Sequence, residues 1–220
     1  MRGEHMTLTI REPGSAITHF VAMIMALCAL FPLMIRADEH SCTASMLVFG
    51  LSMVILYGAS TTYHSVNVGE KILKVFKRID HLSIFLLIAG TYTPICTVAL
   101  KDSVGPILLV VIWSMALVGM ATKFFWIYCP KWFSSIIYIA MGWVCVFAFK
   151  PLLAAVPVGC FGWLLAGGIV YTIGGIIYGI KTPRFDLKHP HFNKHCIFHL
   201  FIMGGTICHF ICMYKYVVMM

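Results

Sequence analysis

Cutting the chain at every Asp, Glu, Lys and Arg leaves seven uncharged stretches of 18 or more residues: 13–35, 40–69, 81–100, 103–122, 132–149, 151–180 and 195–214. Together they hold 161 of the 220 residues, so all 24 charges fall in the remaining 59. A helix rises about 1.5 Å per residue, and a hydrocarbon core about 30 Å thick takes roughly 20 residues to cross. Each stretch therefore has the length and character of a transmembrane helix. The sequence predicts an all-α membrane protein, one domain over 1–220, with spans near 15–35, 43–66, 80–100, 104–122, 132–149, 157–180 and 195–216. A soluble domain is excluded, because 11% charged and 60% hydrophobic residues stand far from the usual ~25% and ~45–50%. Continuous apolar runs exclude a β-barrel, whose strands alternate over about 10 residues. The first apolar run is long and no small-residue cleavage site follows it, so the first helix is expected to stay in the protein.

The net charge of +8 is distributed by side rather than clustered with aromatics, which speaks against nucleic acid as a partner and for membrane topology. The N-terminal segment and loops 2–3, 4–5 and 6–7 carry 12 Lys and Arg; the other loops and the C-terminal tail carry 4. The N-terminus is therefore expected inside and the C-terminus outside. G-protein-coupled receptors have the opposite orientation, and a retinal protein needs a lysine in mid-helix 7, where this chain has none before Lys215.

Residues 67–79 place Ile72, Val75, Phe76 and Ile79 at helical spacing among Lys71, Lys74, Lys77 and Arg78, which predicts a short amphipathic helix on the anionic inner leaflet. Loop 181–194 is basic and broken by Pro. Gly175 and Gly179 form a GxxxG face in span 6 suited to close helix packing. Nine cysteines without a CxxC pair suit packing better than a disulfide framework, although Cys42 and Cys160 share one membrane face and a bridge between them is allowed.

Ionisable groups inside a membrane are costly and mark functional sites. Asp80 opens span 3, Ser60 and His64 lie in span 2, and His195 and His199 open span 7. Because span 2 runs inward while spans 3 and 7 run outward, all five fall in one layer. Residues four apart share a helical face, so Ser60 stacks over His64 and His195 over His199. Three neutral imidazoles and one open position form a catalytic zinc arrangement; Asp80 is placed to hold or deprotonate a water there, and Ser60 to hydrogen-bond it or a substrate carbonyl. His19 lies in the same layer and is expected to make an interhelical contact or support the ligands. His81 points about 100° from Asp80 on a helical wheel, so packing is expected. His209, ten residues beyond His199, lies about 15 Å further along the helix and cannot share the ion. His189 and His191 offer at most a weak second site in a loop.

At these residues the chain resembles the hemolysin III group of the progestin and adipoQ receptor family. The matching segments are ASTTYH (59–64), DHLSIFLLIAGTYTP (80–94), AMGW (140–143), KHCIFHLF (194–201) and CHF (208–210). The segment EPGSAITH (12–19) has Ser15 where the family often has Asn. The resemblance implies seven helices with the N-terminus inside, zinc bound at His64, His195 and His199, and a metal-held water kept by Asp80 and Ser60. The wider superfamily includes adiponectin receptors and alkaline ceramidases, which implies hydrolysis of a membrane lipid amide or ester; the bacterial branch implies a multi-pass plasma-membrane location, haemolytic activity and a role in membrane homeostasis.

Three functions follow as expectations: a zinc-dependent lipid hydrolase, a non-catalytic zinc-braced regulator or sensor of membrane state, and a pore-forming cytolysin. The last fits least, because charge-free helices without an acidic ring give no water-filled path. The distribution of Lys and Arg predicts that a reporter after Met220 lies outside and one within 181–194 inside. Cysteine labelling in intact cells checks both; an inward C-terminus would overturn the count of spans.

Overall fold

The computed structural model describes residues 10–40, 42–180, 187–188 and 192–220. Its helices are α1 (Pro13–Glu39), α2 (Thr43–Ser65), α3 (Glu70–Pro94), α4 (Gly105–Phe125), α5 (Lys131–Gly142), α6 (Phe149–Ala155), α7 (Val158–Gly179) and α8 (Lys194–Lys215). A π-helical turn, Ile95–Ala99, prolongs α3, and a 3-10 segment, Trp143–Ala148, joins α5 to α6 in one crossing. The result is a multi-pass membrane protein with seven apolar helical spans and no strand among the described residues. Proline marks the helix starts: it opens α1 and α4 and sits at the N-caps of α5 and α7. A ring with no N–H costs nothing in a first turn, where that donor has no partner anyway.

Neighbouring helices close into a ring: α1 on α2, α2 on α3, α3 on α5, α5 on α7, α7 on α8 and α8 back on α1, with α4 outside against α3. Glycines set the spacing. On α7, Gly174 faces Phe198 and Phe201 of α8, while Gly175 and Gly179 face Ile139 and Ser135 of α5, so the GxxxG face packs as its sequence implies. Side chains turned outward are apolar, with Phe125 and Phe147 among the most exposed, as lipid contact requires.

Two local readings change. The segment 67–79 does not form a separate interfacial helix. Nothing between Glu70 and Thr93 breaks the helix, so Gly69 caps one continuous α3 whose first ten residues extend about 15 Å before Asp80. Ile72, Val75 and Ile79 remain exposed, while Lys74 and Lys77 lie over the Tyr128 ring at 5.3 and 4.6 Å and Arg78 over Phe124 at 5.3 Å. The bridge between Cys42 and Cys160 is not formed either: Cys160 Sγ lies 3.0 Å from Cys212 Sγ, and Cys42 turns to the carbonyls of Ala37 and Val218.

The break in the fifth span has a visible cause. Tyr92 of α3 donates its hydroxyl to the Gly142 carbonyl at 2.6 Å and accepts from the Cys145 N–H at 3.0 Å. A phenol thus takes the place of a missing rung, which lipid cannot replace with water. Tyr92→Phe is expected to lower stability by about 1–3 kcal/mol by removing the acceptor of the Cys145 N–H and leaving the Gly142 carbonyl only the weak Cys145 thiol. Thermal unfolding in detergent measures the loss, and a melting temperature equal to wild type would mean that the break needs no stitch.

Candidate metal centre

The site lies at the end of the bundle where α1, α3 and α8 begin and α2 ends. The segment before α1 docks on the carbonyls that α2 leaves unpaired at its C-terminus. Glu12 N–H donates to the His64 carbonyl at 3.0 Å and Arg11 N–H to that of Ser65 at 3.4 Å, while the Arg11 guanidinium donates to the Tyr63 carbonyl at 2.6 Å. On the other side, Asn193 caps α8 by accepting from the N–H groups of His195 and Cys196 at 2.9 and 3.2 Å. That cap fixes the rotation of the first turn of α8 and with it the direction of both histidines.

His64, His195 and His199 converge, their ligand nitrogens all within 4.8 Å of one another. His195 Nε2 lies 3.3 Å from His64 Nε2 and 3.1 Å from His199 Nε2. The outer nitrogens determine what the inner ones can offer. His64 Nδ1 sits 2.6 Å from Glu12 Oε2, and a carboxylate only accepts, so Nδ1 carries the proton. His199 Nδ1 lies 3.2 Å from the Ser15 carbonyl, another pure acceptor, and 3.1 Å from Thr18 Oγ1. Both imidazoles therefore turn an Nε2 lone pair towards the third histidine, the ligand form in which one nitrogen is held by a hydrogen bond and the other is free to bind. Two lone pairs converging on one point suit a cation. Burial alone would raise the Glu12 carboxyl, but the hydrogen bond from His64 and the Arg11 guanidinium at 2.7 Å hold it below the usual carboxylate range.

Asp80, Ser60, His19, His195 and His199 line one cavity. Ser60 Oγ is buried and has no hydrogen-bond partner among the described residues. Asp80 is 6% exposed, and His81 does not point away as its helical position suggests: its Nδ1 turns back to 3.4 Å from Asp80 Oδ2 while lying 2.9 Å from the Lys77 carbonyl. His19 is stacked on His199 with centroids 3.5 Å apart and planes 7° from parallel, and both its nitrogens lack hydrogen-bond partners among the described residues. It is a wall of the site rather than an edge-on ligand. His209 lines the far part of the same cavity, away from the trio. His189 and His191 lie outside the described residues.

Sequence reasoning missed Glu12, Ser15 and Thr18. Glu12 carried a signal, since it is the one acid between Glu4 and Asp38 and abuts the first span. Ser15 and Thr18 carried none.

These features define a helical membrane protein whose three converging histidines lie close enough to hold a metal ion. The sequence profile of the haemolysin-III related family matches residues 8–210. Hemolysin-3 of Bacillus cereus is 38% identical over 216 residues, covering 96% of this chain and 94% of that protein. The hemolysin-3 homolog of Bacillus subtilis strain 168 is 37% identical over 214 residues, 96% of each. No solved structure matches. The chain belongs to the hemolysin III family, within the progestin and adipoQ receptor family.

Removing one ligand of three leaves an under-coordinated ion, so His64→Ala, His195→Ala and His199→Ala are each expected to lose bound metal on purification. Glu12→Ala keeps all three ligands but frees the His64 ring, with an expected loss of about 10–100-fold in metal affinity. Elemental analysis and chelator competition check both; full occupancy in all three histidine variants would remove this trio as the metal centre.

Proposed function

We propose that the trio holds zinc and that the protein hydrolyses an amide or ester bond of a membrane lipid in the cytoplasmic half of the bilayer. Zinc takes His nitrogens at about 2.0–2.1 Å, and two such ligands at a tetrahedral angle stand about 3.4 Å apart, close to the spacings of 3.1 and 3.3 Å between the Nε2 atoms. The reading rests on one observation above others: an unpartnered Ser60 hydroxyl and a buried Asp80 line one cavity with His195 and His199, two members of a trio that has no fourth His, Cys, Asp or Glu in its group among the described residues. A structural zinc site is closed by four protein ligands, whereas a catalytic one keeps a position open.

Zinc bound there supplies a Lewis acid that polarises a carbonyl and acidifies water. Asp80 accepts the proton of the attacking water and passes it to the leaving nitrogen or oxygen, a role worth about 10²–10⁴-fold in rate. Ser60 Oγ donates a hydrogen bond to the substrate carbonyl. His81 steadies the Asp80 carboxylate, and Glu12 with Thr18 keeps the ligand rings in their tautomers. The products are a carboxylic acid and an amine or alcohol.

A second reading is a zinc-braced regulator of membrane state. It is favoured by the way the trio ties α2 to α8 and, through Glu12, Ser15 and Thr18, to α1. Asp80→Asn separates the two: under hydrolysis it keeps zinc and melting temperature but loses at least about 100-fold in release of fatty acid from lipid amides, and Ser60→Ala loses less. Zinc occupancy, melting temperature and fatty-acid release are measured on one preparation against a ceramide-like panel. A wild-type protein with full zinc and no turnover on any lipid amide or ester would favour the regulator.

A further inference from the structure

The cavity extends well beyond the histidine trio, and its far part is lined by Trp143, Tyr171, Thr172 and His209. His209 lies ten residues after His199 on the same helix, about 15 Å along its axis. Both its nitrogens are buried without a hydrogen-bond partner among the described residues; the Leu164 carbonyl lies beside the ring without completing a bond. The place is made for an imidazole, because Gly167 of α7 faces the ring and any Cβ there would overlap it.

A proton count next to His209 shows what else is free. Thr206 Oγ1 donates to the Ile202 carbonyl at 2.9 Å, so it can only accept from Tyr57 at 2.6 Å and Tyr171 at 2.7 Å. Both phenol protons are thereby used, and the Tyr171 oxygen keeps an acceptor lone pair. The indole of Trp143 is used on Thr172 Oγ1 at 2.9 Å, and the Tyr92 hydroxyl on Gly142. What remains next to His209 is one imidazole donor, one imidazole acceptor and one phenol acceptor, and among the described residues Asp80 is the cavity's one acidic lining residue, with no Lys or Arg.

We propose that His209 and Tyr171 form a second binding point in this cavity, taking a neutral hydroxyl carried on a lipid chain about 15 Å from the end held at the histidine trio. A hydroxyl both donates and accepts, so it pairs with one ring nitrogen of His209 in either tautomer, or bridges His209 and Tyr171. A plain acyl chain leaves those buried groups unpaired, and a carboxylate or ammonium would bring a charge into a place without a counter-charge. The inference rests on the hydrolase reading only for the identity of the group at the trio; it specifies the substrate class as lipid amides or esters hydroxylated along the chain.

The test compares two long-chain lipid amides that differ by one hydroxyl about 15 Å from the carbonyl. Binding to the metal-loaded full chain in detergent is measured by competition with a fluorescent lipid, and fatty-acid release is followed in parallel. The hydroxylated amide is expected to bind about fivefold to tenfold more tightly, the range of one net hydrogen bond. His209→Phe should bind both amides alike, Tyr171→Phe should reduce the preference, and His209→Gln, which keeps a donor and an acceptor, should retain it. Equal binding of the two amides by wild type would mean that water completes the site and would overturn the proposal, as would a preference that survives in Tyr171→Phe and His209→Phe alike. If His209→Phe does not fold, the wild-type comparison and Tyr171→Phe decide. A hydroxyl preference without turnover supports this site and counts against hydrolysis alone; turnover without preference counts against this site alone.

Discussion

Inside a bilayer no water stands ready to hydrogen-bond a stray N–H, carbonyl or hydroxyl, so each must find its partner within the chain. Threonines and serines turn back on their own helices: Thr91, Thr93 and Thr97 each donate to the carbonyl four residues earlier, at 2.7–2.9 Å. Where a span breaks, a side chain from a neighbour fills the gap, as Tyr92 does. Against that background the buried polar atoms that stay unpaired carry information. Among the described residues, those on Ser60, His19, His209, Ser135 and His195 all belong to residues lining one cavity, and only the Nε atoms of Arg11 and Arg78 lie outside it.

The centre is built from helix ends rather than from mid-helix positions. The last turn of α2 gives His64, the first two turns of the capped α8 give His195 and His199, and the start of α1 with the residue before it supplies the groups that hold the outer nitrogens of His64 and His199. Helix ends are where free carbonyls and N–H groups are found, so the contacts that pin the approach to α1 onto α2 also aim Glu12 at His64. Packing and ligand orientation are one set of bonds here. The extension of α3 beyond Asp80 adds cations resting on Tyr128 and Phe124, which suits the anionic face of a membrane.

By itself the sequence determined the number of spans, because charge is excluded from a hydrocarbon core whatever the tertiary arrangement. It also determined the layer holding Ser60, His64, Asp80, His195 and His199, since helix direction and a rise of about 1.5 Å per residue fix depth. Depth says nothing about rotation between helices or about what a neighbouring segment brings. Only the tertiary structure decided that His81 turns back to Asp80, that α3 runs unbroken through residues read as a separate helix, and that His19 lies flat on His199 rather than edge-on. It also decided the tautomers: the lone pairs of His64 and His199 face inward because Glu12 and the Ser15 carbonyl, more than fifty and more than one hundred and eighty residues away, occupy their outer nitrogens. Such contacts depend on how helices pack side by side, and spacing along one chain does not encode them.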